Sequence, residues 1–425
     1  MRTLLYCFRD DLRLHDNPAL QAACASADRL LPVWLTPTPA DTAWGFARIG
    51  TRRSAFRASA AIALDAALRR QGSRLIVRQG SMAQALPALA AAANADAIYC
   101  EDIATPEEAA DLQALRAQGW AVRSHWQATL FAPDALPWAP QDLPDVFTTF
   151  RQTLARAGAT PAPPLPTPNL PPLPEQAEAM ASARLDSPTE QADPRSSFPF
   201  PRTGFLGGED AAMAHLAQYL ARGLPHSYKT TRNGLSGIDY SSKLSPWFAC
   251  GALSPRLVLQ QLRAFEAVHG ASASSDWLWF ELLWRDYFKL LQLKYGKQLY
   301  RAGGLPGKAP PPHDEEAFRR WRRGDTGQAL VDAGMRELAA TAYLGNRMRQ
   351  IVASYLIHDL QCDWRAGAAW FESALIDYDC SLNHGNWLYI AGLGTDPRGG
   401  RRFNPDKQAA EYDADGAYRA LWSAA

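Results

Sequence analysis

The sequence predicts an α/β domain followed by a large all-α domain, with an extended linker between them. Three observations carry that expectation. Short apolar runs alternate with helical ones over the first third of the chain. A proline-dense stretch follows, and after Gly207 every periodic segment is helical.

The candidate strands are Leu4–Phe8, Leu30–Leu35, Leu75–Arg78, Ala97–Cys100 and Ala121–His125, separated by Ala-rich helical patterns such as Ser54–Arg70. Strands alternating with helices predict a parallel, doubly wound sheet, which places ligands at the carboxyl ends of its strands. Those ends carry Arg9-Asp10-Asp11-Leu12-Arg13, Glu101-Asp102 and Trp126, and no GxGxxG follows the first strand. Residues 160–174 hold eight prolines in fifteen positions, the composition of a polyproline-like connector wrapped over the surface. The expected division is an α/β domain over 1–135, a linker over 136–206 and an all-α domain over 207–425. Helices are predicted at 209–222, 254–269, 274–295, 313–323 and 325–340, and again after Ala342.

Composition narrows the function classes. A net charge of +1 demands no polyanion globally, so a nucleic-acid site has to be a local basic patch. The 6 cysteines lack metal-ligand spacing and read as thiols of a reducing cytoplasm; no metal site is expected. No run suits a signal peptide or a membrane span. Tryptophan is abundant at 14 residues, most of them after position 246.

Three stretches of the helical part carry the chemistry. The first, Ser227–Arg256, contains Ser241-Ser242-Lys243-Leu244-Ser245 ahead of Pro246. Hydroxyls, free amides and a lysine at a helix start suit a phosphate, and ordinary capping is the plainer reading. The second, Asp276–Gly296, is a helix with an aromatic stripe in which Glu281, Arg285 and Lys289 repeat at i, i+4. An intrahelical ion pair accounts for that spacing. A carboxylate among tryptophans also suits a bound base.

The third runs from Ala342 to Tyr389. A helix carrying Leu344, Met348, Ile351 and Val352 is followed by a second one capped by Asp363; the pattern then breaks into the turn-forming DYDCSLNHGNW. Asp377, Asp379, Asn383 and Asn386 need partners beside so much apolar surface, either an internal one such as Arg349 or a bound polar cofactor. The loop that follows holds Arg398, Arg401, Arg402 and Lys407, a candidate contact for phosphate backbone.

Taken in order, YCFRDDLRLHDNPAL, LPDVFTTFR, FLGGE, YKTTRNGLSGIDYSSKLSPW, ELLWRDYF and TAYLGNRMRQIVASYL resemble the cryptochrome/photolyase family, most closely its DASH branch. DYDCSLNHGNWLY and DPRGGRRFNPDKQ continue the likeness. The resemblance implies an α/β antenna domain and a helical domain holding FAD. By motif, Tyr228, Ser241, Ser242, Lys243, Leu244 and Ser245 would hold the flavin's phosphates and nearby groups. Arg349 and Asp377 would form an ion pair against its ring, with Tyr378, Asp379 and Asn383 completing the site.

Glu281, Asn346 and Gln350 would border a flipped pyrimidine dimer between Trp284 and Tyr389, and Arg232 and Arg347 would join the loop arginines on DNA. The implied activity is light-driven splitting of cyclobutane pyrimidine dimers by excited reduced flavin, preferentially in single-stranded DNA. A blue-light receptor using the same flavin is the alternative; Glu281, Asn346 and the lack of a long tail after Tyr418 favour repair. The protein is expected to act as a cytoplasmic monomer.

Trp387 and Trp364 would begin the photoreduction chain. The usual third tryptophan should fall near Pro311 and is missing, so Trp370 and Trp321 are the candidate exit. Tyr343-Leu344-Gly345, Thr326-Gly327-Gln328 and His384 also depart from the commonest DASH wording. Glu107, Glu108 and the Phe147–Arg151 segment match the antenna pattern, implying methenyltetrahydrofolate.

Overall fold

The computed structural model describes residues 1–180 and 182–423; Ala181, inside the expected linker, falls outside them. Five parallel strands form one sheet: β1 (Thr3–Phe8), β2 (Arg29–Thr36), β3 (Ile76–Gln79), β4 (Ala97–Glu101) and β5 (Val122–His125), in the order β3-β2-β1-β4-β5. β1 is buried along its whole length because helices cover both faces. Those helices are α1 (Pro18–Ser26), α2 (Thr51–Arg70), α3 (Met82–Ala92) and α4 (Pro106–Ala117). The register runs Leu4 against Leu30 on one side and Ala97 on the other.

The chain reverses its winding between β1 and β4, where such sheets normally bind ligands. Here most of that edge docks the second domain instead. Asp11 is fully buried and accepts bonds from Arg9 N, Tyr6 Oη, Asn17 Nδ2 and Gln127 Nε2, which fixes the loop after β1. That loop sends Asp16 to Arg256 (2.6 and 3.0 Å), Arg13 to the Gly251 carbonyl (2.8 Å) and His15 to Glu209 (2.6 Å). Gly251 has φ +69°, and a Cβ there would lie 1.8 Å from Asp10 O, so this docking requires glycine.

After α5 (Phe147–Arg156) the proline-rich stretch is irregular and lies along the sheet domain. Pro172 O accepts from Leu30 N at 3.0 Å, and Asp16 accepts from Leu165 N at 3.0 Å.

The remainder is helical: α6 (Glu209–Ala221), α7 (Tyr228–Thr231), α8 (Ser245–Ala249), α9 (Pro255–His269), α10 (Ala273–Tyr295), α11 (Glu315–Arg323) and α12 (Ala329–Thr341). These are followed by α13 (Asn346–His358), α14 (Trp364–Ala374), α15 (Cys380–Ala391), α16 (Pro405–Tyr412) and α17 (Ala417–Leu421). Asp363 caps α14 as expected, accepting from Arg365 N at 2.9 Å. DYDCSLNHGNW is not a turn-rich break: most of it forms α15, started by Asp379 accepting from Leu382 N at 3.1 Å. The apolar periodicity is interrupted there because Asn383 and Asn386, on the side that lines the central cavity, are polar. No helix among the described residues is long and apolar enough to cross a membrane.

Candidate functional site

α8, α10, α13 and α15 surround a cavity of about 410 Å³ in the helical domain. The turn before α8 supplies one wall. Ser241 and Lys243 both adopt left-handed backbone (φ 58° and 59°), which non-glycine residues take at a cost and which is concentrated at functional sites. Pro246 opens α8 behind Ser245, and all five residues of the Ser241–Ser245 run line the cavity, as does Tyr228 from the start of α7. Lys243 is 2% exposed, and its Nζ has no hydrogen-bond partner among the described residues; it lies 2.9 Å from the Tyr240 ring centroid and 5.6 Å from that of Tyr343. Burial drives the pKa of Lys243 well below the ordinary lysine value, against the pull of Glu337. Tyr240 Oη is likewise unpartnered and lies where a Cβ on Gly345 would sit 2.6 Å away.

The opposite wall comes from α13 and the Asp377–Asp379 segment. Arg349 donates to both oxygens of Asp377 at 2.9 and 2.7 Å and to Leu344 O at 2.7 Å. Asp379 pairs with Lys289 of α10 at 2.6 Å. Burial alone would raise the Asp379 carboxyl; Lys289 and Arg285 outweigh it and hold the group below the ordinary aspartate range. Asn383 donates its Nδ2 to Ala368 O at 3.0 Å, which leaves its amide oxygen for a ligand. Tyr378 lines the same cavity under the Arg53 guanidinium.

At the third wall, Glu281 accepts from Trp277 Nε1 at 3.0 Å and from Arg232. The i, i+4 repeat therefore does not form an intrahelical pair: Arg285 donates to Ala128 O, and Lys289 goes to Asp379. Burial raises the Glu281 pKa, opposed by Arg232. Trp284 stacks on Phe147 at 3.7 Å and 12°, and meets Tyr389 edge-on at 6.3 Å. Asn346 and Gln350 line this part of the cavity from α13.

Trp387 is buried beside the cavity because Gly367 of α14 lets its ring in; a Cβ there would lie 2.2 Å from it. Trp321 is fully buried with its ring 6.4 Å from Trp387. Trp364 donates to Ala302 O at 3.0 Å and faces His384 at 6.1 Å. Trp370 lies further out, edge-on to Phe46 with the Arg322 guanidinium 4.3 Å from its centroid.

Among the loop arginines, Arg401 pairs with Asp396 and Arg402 with Asp359, while Arg398 is exposed and makes no ion pair among the described residues. Arg347 donates to Asn233 at 3.1 Å and covers Tyr412. Glu107 pairs with Arg48 at 2.7 Å, and Glu108 accepts from Thr105, so both carboxylates have partners. Glu101, by contrast, is 1% exposed with neither oxygen hydrogen-bonded among the described residues, at a small cavity shared with Trp126, Arg285 and Lys289. Burial and the nearby Asp11 and Asp10 charges push its pKa well up. Its place at the end of β4 was visible in the sequence; its lack of a partner was not.

Comparison with known proteins is decisive for the family. Residues 4–169 match DNA photolyase, and residues 277–424 match the FAD binding domain of DNA photolyase. The chain is 43% identical to the cryptochrome DASH of Gloeobacter violaceus, covering 99% of this chain and 85% of that protein. This chain belongs to the cryptochrome/photolyase family. Within it, the cryptochrome DASH of Xenopus laevis is 39% identical over 99% of this chain and 82% of its own length. The crystal structure of a Synechocystis cryptochrome superposes with a TM-score of 0.92 at 40% identity, covering 99% of this chain and 88% of the other. A class III photolyase of Agrobacterium tumefaciens gives 0.80 at 28% identity, covering 99% and 86%.

The residues present fit FAD. A buried Lys243 amine without a hydrogen-bond partner among the described residues and a buried Arg349–Asp377 pair line one cavity, as a ligand with an anionic diphosphate and a polar ring requires.

Proposed function

We propose that this family member uses light to repair cyclobutane pyrimidine dimers in single-stranded DNA, with FAD in the central cavity. One observation carries the reading: Glu281 and Asn346, the groups that would meet a lesion, line the same cavity as Arg349, Asp377 and the Ser241–Ser245 turn. Bound there, FAD supplies light absorption and the single electron that reopens the dimer ring.

The chain's own residues bind and orient. Ser241, Ser242, Lys243 and Ser245 hold the diphosphate, with Leu244 and Tyr228 packing beside it. Arg349 and Asp377 position the ring, and Asn383 offers its amide oxygen to it. Glu281, held by Arg232 and Trp277, accepts a hydrogen bond from the flipped pyrimidine, which Asn346 and Gln350 border. Trp284 and Tyr389 supply apolar walls. A lesion must leave the base stack to enter this site, as it does in photolyases generally. Flipping from intact duplex costs a few kcal/mol, which favours single strands.

The proposal extends to an antenna, methenyltetrahydrofolate, at the edge of the sheet domain. A cytoplasmic monomer completes the reading.

The test is the absorption spectrum of the purified protein followed by illumination with dimer-containing oligothymidine. Flavin bands and loss of dimers, faster in single than in double strands, are expected. Flavin that responds to light with no dimer loss would replace repair by a blue-light receptor.

A further inference from the structure

A second cavity of about 110 Å³ adjoins the central one. Trp284, Phe288 and Tyr389 line both, so those side chains are the partition between them. Its outer walls are the start of α5 and the loop that follows α15. The repair reading turns Trp284 and Tyr389 toward the central cavity and gives Arg398 and Arg401 to DNA, and it leaves this cavity without an occupant.

Its chemistry is specific. Gln292 lines it at 3% exposure, with its Oε1 accepting the Tyr300 hydroxyl at 2.9 Å. The amide Nε2 makes no hydrogen bond to the described residues, and an amide NH2 keeps two donors for an acceptor in the cavity. It therefore points to a carbonyl oxygen on a ligand. The Arg401 guanidinium lies 4.9 Å from the Tyr389 centroid, a cation–aromatic surface on which a flat heterocycle stacks. The acidic groups of the rim are neutralised, Asp145 by Lys294 at 2.6 Å and Asp396 by Arg401, so they do not repel an anionic strand. At the mouth, Val146 is 37% exposed and Arg398 is free.

We propose that this cavity receives one unpaired pyrimidine base next to the lesion in a single strand. The inference rests on the repair reading and gives its strand preference a cause in named residues. Tyr389 then stands between the dimer and its neighbour, Gln292 donates to the base carbonyl, and Arg398 meets the phosphate. A closed cavity of about 150 Å³ holds a benzene ring, so at about 110 Å³ this one takes a single ring only with part of it standing in the open mouth, and the two rings of a purine fit it worse. A duplex cannot fill it without unstacking and unpairing a second base.

The test is dark binding of the holoprotein to oligothymidine carrying one dimer, with an abasic site or an adenine placed in turn at each flanking position. One position should weaken binding about tenfold, the value of a single base stack. That penalty should disappear in Gln292→Met, which keeps the side chain's size, and in Thr148→Trp, which fills the mouth from an exposed position. Equal affinities at every flanking position, or a penalty unchanged in both variants, would overturn the inference and leave repair standing. If wild-type protein neither prefers the dimer nor removes it in light, the repair reading fails and this inference fails with it.

Discussion

Glu281 is bonded to Arg232, 49 residues away in sequence, and not to Arg285 one turn along its own helix. The pairing leaves Arg285 to the Ala128 carbonyl and the Phe248 ring, and Lys289 to Asp379. Three charges with the spacing of a helical ladder thus serve three different walls, and Glu281 is held at the cavity.

Glu281→Ala should lower the quantum yield of dimer repair while leaving flavin bound. A hydrogen bond to a charged group is worth about 1.5–3 kcal/mol, so the loss should be roughly ten- to a hundredfold. Repair yield per photon, with the flavin reduced chemically beforehand, is the measurement. Yields equal to wild type would remove Glu281 from the lesion site.

Asp377→Ala strands Arg349 in the cavity wall. Removing one partner of a buried pair costs about 3–5 kcal/mol, and the low end applies because the Arg349 side chain is 24% exposed. The variant should lose flavin on gel filtration and melt well below wild type. Retention of both properties refutes the pair's proposed role.

Glu337 is fully buried, with one oxygen accepting the Tyr418 hydroxyl at 2.5 Å and the other without a hydrogen-bond partner among the described residues. Burial raises its pKa from 4.5 to about 8. The folded state therefore holds a proton that the unfolded chain releases above the ordinary glutamate range. Its contribution to stability is complete below that range and is lost as pH rises through about 8. Glu337→Gln should flatten the decline in melting temperature across that window; an unchanged slope would show that Glu337 does not titrate as stated.

Arg398 is the loop arginine without an ion-pair partner among the described residues. Arg398→Ala should reduce the slope of log affinity against log salt by about one phosphate contact. Arg402→Ala should change it less, because Asp359 already neutralises that guanidinium. Binding of oligothymidine over a salt series distinguishes the two.

Trp387→Phe should nearly abolish reduction of the flavin by light and thiol. Trp321→Phe should slow it, since the two rings are 6.4 Å apart. Trp370→Phe should matter less than Trp321→Phe, because the Arg322 cation 4.3 Å from its centroid opposes a positive hole there. Unchanged kinetics in both Trp321→Phe and Trp370→Phe would remove the side branch. Repair by chemically reduced protein should survive in all three.

The two-part fold was legible in the chain because its signals are local. Short continuous apolar runs, Ala-rich helices and a proline run are each read within about a dozen residues, and every strand lies within two residues of its expected ends. The ordered motifs likewise carried the family, and Asp363 and Pro246 marked helix starts by their own chemistry. What the sequence could not decide was pairing across distance. Arg232 with Glu281, Lys289 with Asp379 and Asp16 with Arg256 each join residues that only the packed helices bring together. The same holds for absence of a partner among the described residues: Glu101 and Lys243 stand out only once burial shows what each fails to meet. The helix of Cys380–Ala391 was hidden for a related reason. Apolar periodicity marks a helix that faces a closed apolar core, and this one turns Asn383 and Asn386 to a cavity that exists only in the folded chain.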